Sequence, residues 1–392
     1  MRCPHAIIEI RTSCVVRDME GAHSGFQRCA RFELKMKTAI VGLPMVGKTS
    51  LFTILTGVNQ SARVGSMETR VGMTKVPDGR LDELAKIFDP PKITHATVEY
   101  LDFPAISKEA LRDPSYLASL RVVDAMAHVL RTFERDTVPH EKGSVDAVRD
   151  FQDVEIELIL SDLVVVEKRI ERVDKDRKKI KSPDLDKEFA LLERIKTELE
   201  ADRPLRELEF NDEDEKRIRG FQFLSLKPVL CVLNIGEKDA PRLHEVEEEY
   251  RKGPFAGRKN IAVTAVCGQV EAELAELKPE EAKEYLASYG LKESALPRII
   301  TATYSLLGLM SFLTAGETEV RAWTIPMNST AVKAAGAIHS DFEKKFIRAE
   351  VVNWKALVEH DGYPGVRDKG LLRLEGKEYI VKDGDVLVIR HS

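Results

Sequence analysis

The feature that most constrains this chain is a glycine-rich loop between a short apolar run and an amphipathic segment. Residues 38–41 form a run typical of a buried strand, and residues 49–55 have the apolar spacing of a helix. The eight residues at their junction match the pattern G-x-x-x-x-G-K-T: Gly42, Leu43, Pro44, Met45, Val46, Gly47, Lys48 and Thr49. Because the pattern follows a strand and opens a helix, it predicts a loop that binds a nucleoside triphosphate.

Each part of this loop has a physical task. The two glycines let the backbone curl, so that successive N–H groups point at the phosphates. Pro44 lies within this curl without an N–H of its own, whereas Met45 and Val46 each have one. The helix N-terminus adds partial positive charge. Lys48 is expected to reach the β- and γ-phosphates and Thr49 to ligate Mg²⁺, while Ser50 is expected to contact the α-phosphate.

A second strand is predicted at residues 96–101, and it ends at Asp102. Ligands of open α/β sheets bind at the carboxyl ends of the strands. The carboxylate of Asp102 is therefore predicted to hold the Mg²⁺ shell beside Thr49.

Further apolar runs at residues 125–130, 228–233 and 260–265 alternate with helical segments. This alternation predicts βαβ units and an α/β fold, with a parallel sheet covered on both faces.

A long helical stretch from about residue 148 to residue 205 interrupts the alternation. Apolar residues recur there at heptad spacing, and residues 182–184 have turn chemistry. The pattern predicts two long helices packed as an antiparallel coiled-coil hairpin. Their dense mixed charge is typical of a solvated surface, with a binding arm as the alternative. The apolar positions are Ile156, Ile159, Leu163, Ile170 and Val173, then Leu185, Phe189, Leu192 and Leu199.

Residues from about 304 onwards have a different character. Short β-type runs at 320–325 and 377–381 are separated by glycines and by the Asp383-Gly384-Asp385 turn. The predicted domains are therefore a nucleotide-binding domain (36–147 and 226–303), a helical hairpin (148–225) and a small α+β domain (304–392). Residues 1–35 are interpreted as an extension that is poorly ordered, or that precedes a true translation start at Met36.

The net charge of −5 excludes a global basic footprint, so any RNA contact would need a local patch. No apolar run approaches the roughly 18 residues of a membrane span. We expect a cytoplasmic protein, with a monomer as the default state.

The order of these motifs resembles the YchF/Obg-like ATPase family of translation-factor-class phosphate-loop proteins. Supporting stretches lie at residues 76–82, 314–323, 336–342 and 375–379, so the resemblance covers about residues 36–390. It implies that the last domain is a TGS module with a β-grasp fold. It also implies ribosomes as the partner, with possible RNA contacts from the hairpin and the TGS surface.

The resemblance also assigns the base-binding segment Asn234-Ile235-Gly236-Glu237, followed by the nucleotide-contacting Thr264, Ala265 and Val266. GTPases commonly have Asn-Lys-x-Asp in place of the four residues 234–237. Here the lysine is absent and the acid is one methylene longer, which disfavours the two-bond contact with guanine. Family members with Asn-x-x-Glu accept ATP. ATP is therefore the predicted ligand, held by Asn234 and by apolar contact from Ile235, with GTP as the alternative.

The chain departs from the family pattern at three places that bear on hydrolysis. Met45 replaces the usual asparagine, so potassium activation is not expected. The segment after Asp102 contains no glycine until Gly143, which leaves the N–H of Ala105 to contact the γ-phosphate. Ser66, or alternatively Thr69, stands where the family has its Mg²⁺-binding threonine. The expected function is a slow regulatory ATPase, and a nucleotide-binding scaffold without hydrolysis is the alternative.

Overall fold

The computed structural model describes residues 36–58, 69–107, 109–135 and 137–392. The predicted extension, residues 1–35, and Ser66 lie outside the described residues. The described strands are β1 Lys37–Val41, β2 Arg70–Lys75, β3 Ile93–Thr94, β4 Thr97–Asp102, β5 Ala125–Arg131, β6 Val229–Asn234, β7 Ile261–Val266, β8 Leu309–Thr314, β9 Val320–Pro326, β10 Phe346–Asn353, β11 Arg373–Glu375 and β12 Asp385–His391.

Helices alternate with the strands in the first part of the chain and surround the second sheet in the last part. They are α1 Lys48–Thr56, α2 Gly79–Phe88, α3 Pro114–Arg121, α4 Ala147–Lys179, α5 Pro183–Glu200, α6 Asp212–Ile218, α7 Leu243–Lys252, α8 Gly268–Leu274, α9 Pro279–Ser288, α10 Leu296–Leu306, α11 Ala331–Ile338, α12 Ser340–Lys344, α13 Trp354–Glu359 and α14 Tyr363–Asp368. Among the described helices, none is long and apolar enough to cross a membrane.

The first sheet has the strand order β2-β4-β1-β5-β6-β7. Strands β4, β1, β5, β6 and β7 are mutually parallel, which confirms the predicted parallel sheet. Strand β2 pairs antiparallel with β4 at the edge and was not predicted. Its sequence has no apolar run, because only part of one face is buried. All of β5 and β6 is buried, so these strands form the centre of the core.

Helices α4 and α5 form the predicted antiparallel hairpin. Its seam is a separate apolar cluster that includes Ile159, Val166, Val173, Leu192 and Leu199. The heptad assignment was wrong at Ile156, which is 39% exposed. The first turns of α4 pack on the core around the first sheet through residues 151, 154 and 158, and position 156 points away from that face.

The second sheet has the order β11-β10-β12-β8-β9-β3 and lies mostly in the C-terminal domain. Helix α11 packs on it with Ala331, Ala334 and Ala335 fully buried, which agrees with the expected β-grasp arrangement. The predicted strand at residues 377–381 was wrong. In that segment only Ile380 bridges to Thr330, because the side chain of Asp385 binds the Tyr379 hydroxyl and the Lys382 amide in a turn.

The last strand of the second sheet, β3, comes from the first part of the chain. Ile93 and Thr94 pair in parallel with Val320 and Arg321. Nearby, Arg80 binds Asp383 at 2.8 Å. The C-terminal domain is therefore joined to the first part of the chain by backbone pairing and by an ion pair.

Candidate nucleotide-binding site

The phosphate loop has a backbone that only glycine fits at its two ends. Gly42 has φ of +146° and Gly47 has φ of +102°. A Cβ on Gly42 would lie 2.6 Å from the carbonyl oxygen of Val129, and one on Gly47 would lie 2.5 Å from Nδ2 of Asn234. The loop is therefore closed tightly between β5 and the end of β6.

Between these glycines, Leu43 and Val46 are buried and the two residues between them are more exposed. The Val46 side chain is buried in the core and anchors the loop there, while Pro44 is half-buried. Met45 is 59% exposed and has φ of +60°, a conformation in which asparagine is enriched and methionine is uncommon. The backbone at position 45 therefore suits the asparagine usual in the resembling family better than the residue present.

Lys48 lies under the loop with its Nζ donating to the carbonyl oxygen of Leu43 at 2.6 Å. Burial lowers its pKa to about 8, and the carboxylates of Asp102 and Glu141 partly oppose that shift. A buried ammonium held against the loop is suited to bind phosphate oxygens, because a nearby anion would stabilise the charged form of the lysine that burial disfavours.

Thr49 and Asp102 meet as the sequence predicts. The Thr49 hydroxyl donates to Oδ2 of Asp102 at 3.1 Å. The other carboxylate oxygen, Oδ1, is buried and has no hydrogen-bond partner among the described residues. A hydroxyl and a carboxylate at this spacing fit a Mg²⁺ ion that takes its remaining ligands from phosphate and water. Thr69, the alternative to Ser66, is half-buried directly before β2.

The segment after Asp102 is fastened to the loop and the core. The Ile106 amide donates to the carbonyl oxygen of Gly42 at 3.2 Å, and the Ile106 side chain is buried. The Tyr116 hydroxyl donates to the carbonyl oxygen of Pro104 at 3.2 Å. Ala105 lies between these anchors and is half-buried, so its contact with the γ-phosphate stays a prediction.

Asn234 joins the loop to the turn after β7. Its Nδ2 donates to the carbonyl oxygen of Val46 at 2.9 Å, and its Oδ1 accepts from the Gly268 amide at 3.1 Å. Both polar ends of the side chain are therefore held by backbone groups from separate loops. This arrangement holds Asn234 directly against the phosphate loop, and its contact with a base stays a prediction.

The other residues predicted at the base have different surroundings. Ile235 is buried, and its amide donates to the carbonyl oxygen of Val266 at 2.9 Å. Thr264 and Ala265 are buried within β7. Glu237 is exposed at the start of the short helix Glu237–Arg242. Ser50 is exposed on the first turn of α1. The contact of each of these residues with nucleotide stays a prediction.

Comparison with known proteins identifies relatives that match over almost their whole length. The Ribosome-binding ATPase YchF of Bacillus subtilis is 40% identical over 366 residues, which cover 92% of this chain and 100% of the relative. The protein of the same name from Escherichia coli O157:H7 is 40% identical over 363 residues, covering 90% and 98%. The chain belongs to the YchF family.

A family model and a solved structure agree with this membership. The model YchF-GTPase_C, described as a protein of unknown function (DUF933), matches residues 309–392. The structure of the Schizosaccharomyces pombe YchF GTPase superimposes with a TM-score of 0.76 at 28% identity, covering 91% of this chain and 98% of that one. The YchF fold thus extends over the phosphate loop, the hairpin and the C-terminal sheet.

Sequence reasoning missed three residues at this YchF site. Arg70 binds both Thr49 and Asp102, Gly268 binds Asn234 through its amide, and Glu141 is close enough to affect the pKa of Lys48. No motif marks them, because each reaches the site through long-range folding. For Arg70 the adjacent Thr69 was the nearest available signal.

Proposed function

We propose that this chain is a regulatory YchF-type NTPase that binds ATP with Mg²⁺, hydrolyses it slowly and associates with ribosomes. The observation that carries the proposal is the convergence of Lys48, Thr49, Asp102 and Asn234 on one phosphate loop. In this proposal residues 36–147 and 226–303 form the nucleotide-binding domain, 148–225 the hairpin and 304–392 the terminal domain.

The choice of ATP over GTP is supported by the chemistry of the base segment. The exposed carboxylate of Glu237 is one methylene longer than the aspartate of GTPases, and no lysine precedes it at Ile235. The relatives from Bacillus subtilis and Escherichia coli are named ATPases, whereas the Schizosaccharomyces pombe protein is described as a GTPase. GTP outcompeting ATP at equal concentration would contradict this part of the proposal.

Slow hydrolysis is inferred from the segment after Asp102. Phosphoryl transfer depends on positioning and on charge stabilisation of the transferred group. Here the backbone expected to approach the γ-phosphate has Ala105 in place of glycine, directly after Pro104, and the next residue, Ile106, is bonded to Gly42; all three restrict its movement. The same observation favours a second candidate, a nucleotide-held scaffold without turnover.

Ribosome association rests on the names of the relatives, and it makes the cytoplasm the expected compartment. The hairpin offers a surface for RNA, because exposed lysines and arginines cluster near its tip: Arg172, Lys175, Lys178, Lys179 and Lys181. Such a local patch supplies the electrostatic attraction that the whole chain, with its negative net charge, lacks. We propose that the protein acts there as a monomer.

The binding experiment is a titration of the purified chain with fluorescent ATP and GTP analogues in Mg²⁺. Lys48→Ala is expected to weaken ATP binding, because it removes the ammonium under the loop. Lys75→Ala is the matched control, since it removes an exposed lysine from β2. Unchanged ATP affinity in Lys48→Ala would refute the nucleotide proposal.

The turnover experiment follows phosphate release with and without ribosomes. Release that ribosomes accelerate and that Asp102→Ala abolishes supports the regulatory ATPase and excludes the scaffold. Tight binding with no release in either condition supports the scaffold instead.

The hairpin is tested by co-sedimentation with ribosomes. Lys179→Gln combined with Lys181→Gln is expected to reduce pelleting while ATP affinity stays unchanged. The control pair, Lys283→Gln and Lys292→Gln, removes the same charge from another exposed surface. Equal pelleting of both pairs and of the wild type would exclude the hairpin tip as an RNA contact.

A further inference from the structure

The guanidinium of Arg70 lies where the two predicted Mg²⁺ ligands meet. Its Nη2 is 3.1 Å from the hydroxyl oxygen of Thr49 and 2.5 Å from Oδ2 of Asp102. The side chains of Arg70 and Asp102 are 17% and 4% exposed, so the ion pair is largely screened from water. One side-chain cation thus contacts the hydroxyl oxygen of Thr49 and one of the two carboxylate oxygens of Asp102.

The fold holds Arg70 at this place through more than the ion pair. Arg70 is the first residue of β2 and stands directly opposite Asp102 in the antiparallel pairing of β2 with β4. Its guanidinium carbon also lies 5.6 Å from the centre of the Phe52 ring on α1, within the range of a cation–π contact. Strand register and an aromatic side chain therefore both direct the guanidinium towards Thr49 and Asp102.

A metal ion on these two oxygens would compete with this guanidinium for the same space. Mg²⁺ binds oxygen ligands at about 2.0–2.1 Å and requires near-octahedral geometry. An ion on Thr49 and in the shell of Asp102 would have to occupy space that Nη2 holds. Two cations in the same partly buried space would also repel one another.

We propose that the guanidinium of Arg70 competes with the divalent cation for Thr49 and Asp102. Nucleotide that arrives with Mg²⁺ displaces the guanidinium, and the start of β2 changes its contacts as a result. This inference rests on the proposed binding of nucleotide with Mg²⁺. Metal loading is thereby linked to the position of the strand that begins at Arg70.

A purely structural ion pair makes a different prediction from competition. Loss of a structural pair would lower the stability of the fold and leave the preference for metal-bound nucleotide unchanged. Loss of a competitor would favour nucleotide with Mg²⁺ over nucleotide without it. The ratio of the two ATP affinities therefore separates these roles.

The experiment measures the Kd of a fluorescent ATP analogue in excess Mg²⁺ and in EDTA, for the full chain and its variants. Arg70→Gln is expected to tighten binding in Mg²⁺ about 10-fold, which corresponds to about 1.4 kcal/mol. Binding in EDTA is expected to stay unchanged. Arg70→Lys retains the charge without the planar fork, and an intermediate ratio is expected.

Lys75→Gln is the matched control, because it removes one positive charge from the other end of β2. Thermal unfolding checks that each variant folds, and Arg70→Lys carries the test if Arg70→Gln does not fold. The inference is overturned if Arg70 variants leave the Mg²⁺-to-EDTA ratio at the wild-type value, or if they weaken binding in Mg²⁺. Failure of the wild type to bind ATP in either medium would instead refute the proposed function itself.

Discussion

Replacing Asn234 by alanine tests how the phosphate loop is joined to the turn after β7. The substitution removes the bond from Nδ2 to the carbonyl oxygen of Val46 and the bond from the Gly268 amide to Oδ1. A neutral hydrogen bond contributes about 1 kcal/mol net, so the junction is expected to lose about 2 kcal/mol. The Gly268 amide itself loses one of these two bonds, about 1 kcal/mol, so its local opening becomes about 5-fold more frequent, because 1.4 kcal/mol is about a tenfold change.

The assay is native-state amide hydrogen exchange of the chain without added nucleotide, followed by ATP titration. Asn234→Asp is the matched variant. Its carboxylate still accepts from the Gly268 amide at the start of α8, but it cannot donate to the carbonyl oxygen of Val46. We expect Gly268 to exchange faster in the alanine variant only, and ATP to bind more weakly in both. If the Gly268 amide of Asn234→Ala exchanges at the wild-type rate and the ATP affinity is unchanged, this account of the junction is refuted.

Three further predictions concern the buried groups that support the site. Burial lowers the pKa of His128 to about 3, well below the unfolded value near 6.5, so the folded state loses stability as the pH falls below 6.5. His128→Phe is expected to remove about 2 kcal/mol of the loss between pH 7 and pH 5, as measured by urea unfolding, and an unchanged pH profile would contradict it. Glu155→Gln leaves the buried Arg206 without its charged partner and is expected to cost about 3 kcal/mol in chemical denaturation, whereas a cost below about 1 kcal/mol would show that the pair contributes little. Tyr100→Phe removes a buried 3.0 Å bond to the hydroxyl of Thr303 and is expected to cost about 1 kcal/mol in thermal unfolding, and equal melting temperatures would show that the bond contributes nothing.

The sequence predicted those parts of the protein that are encoded by neighbouring residues. Strands β1, β5 and β6 contain runs of mostly apolar residues, since a central parallel strand is buried on both faces. The phosphate loop was recognisable because curled backbone, helix start and lysine all lie within eight residues. The hairpin followed from apolar spacing over many turns, which a long pair of helices must repeat.

The errors occurred where burial depends on a partner far along the chain. Ile156 has a suitable heptad position, yet α4 turns its other face to the core at that level. Strand β2 carries few apolar residues because it forms a sheet edge, and β3 is only two residues long and pairs with a strand from the C-terminal domain. No local pattern distinguishes such segments from loops.

The identity of the nucleotide-binding loop, the parallel core and the helical hairpin was therefore determined by sequence alone, because the interactions that specify them are local or periodic. The tertiary structure decided which distant residues complete the site. Arg70 reaches Thr49 and Asp102 through the pairing of β2 with β4, and Gly268 reaches Asn234 through the order of β6 and β7. These contacts arise from strand register and chain topology, which bring together residues that have no relation in sequence spacing.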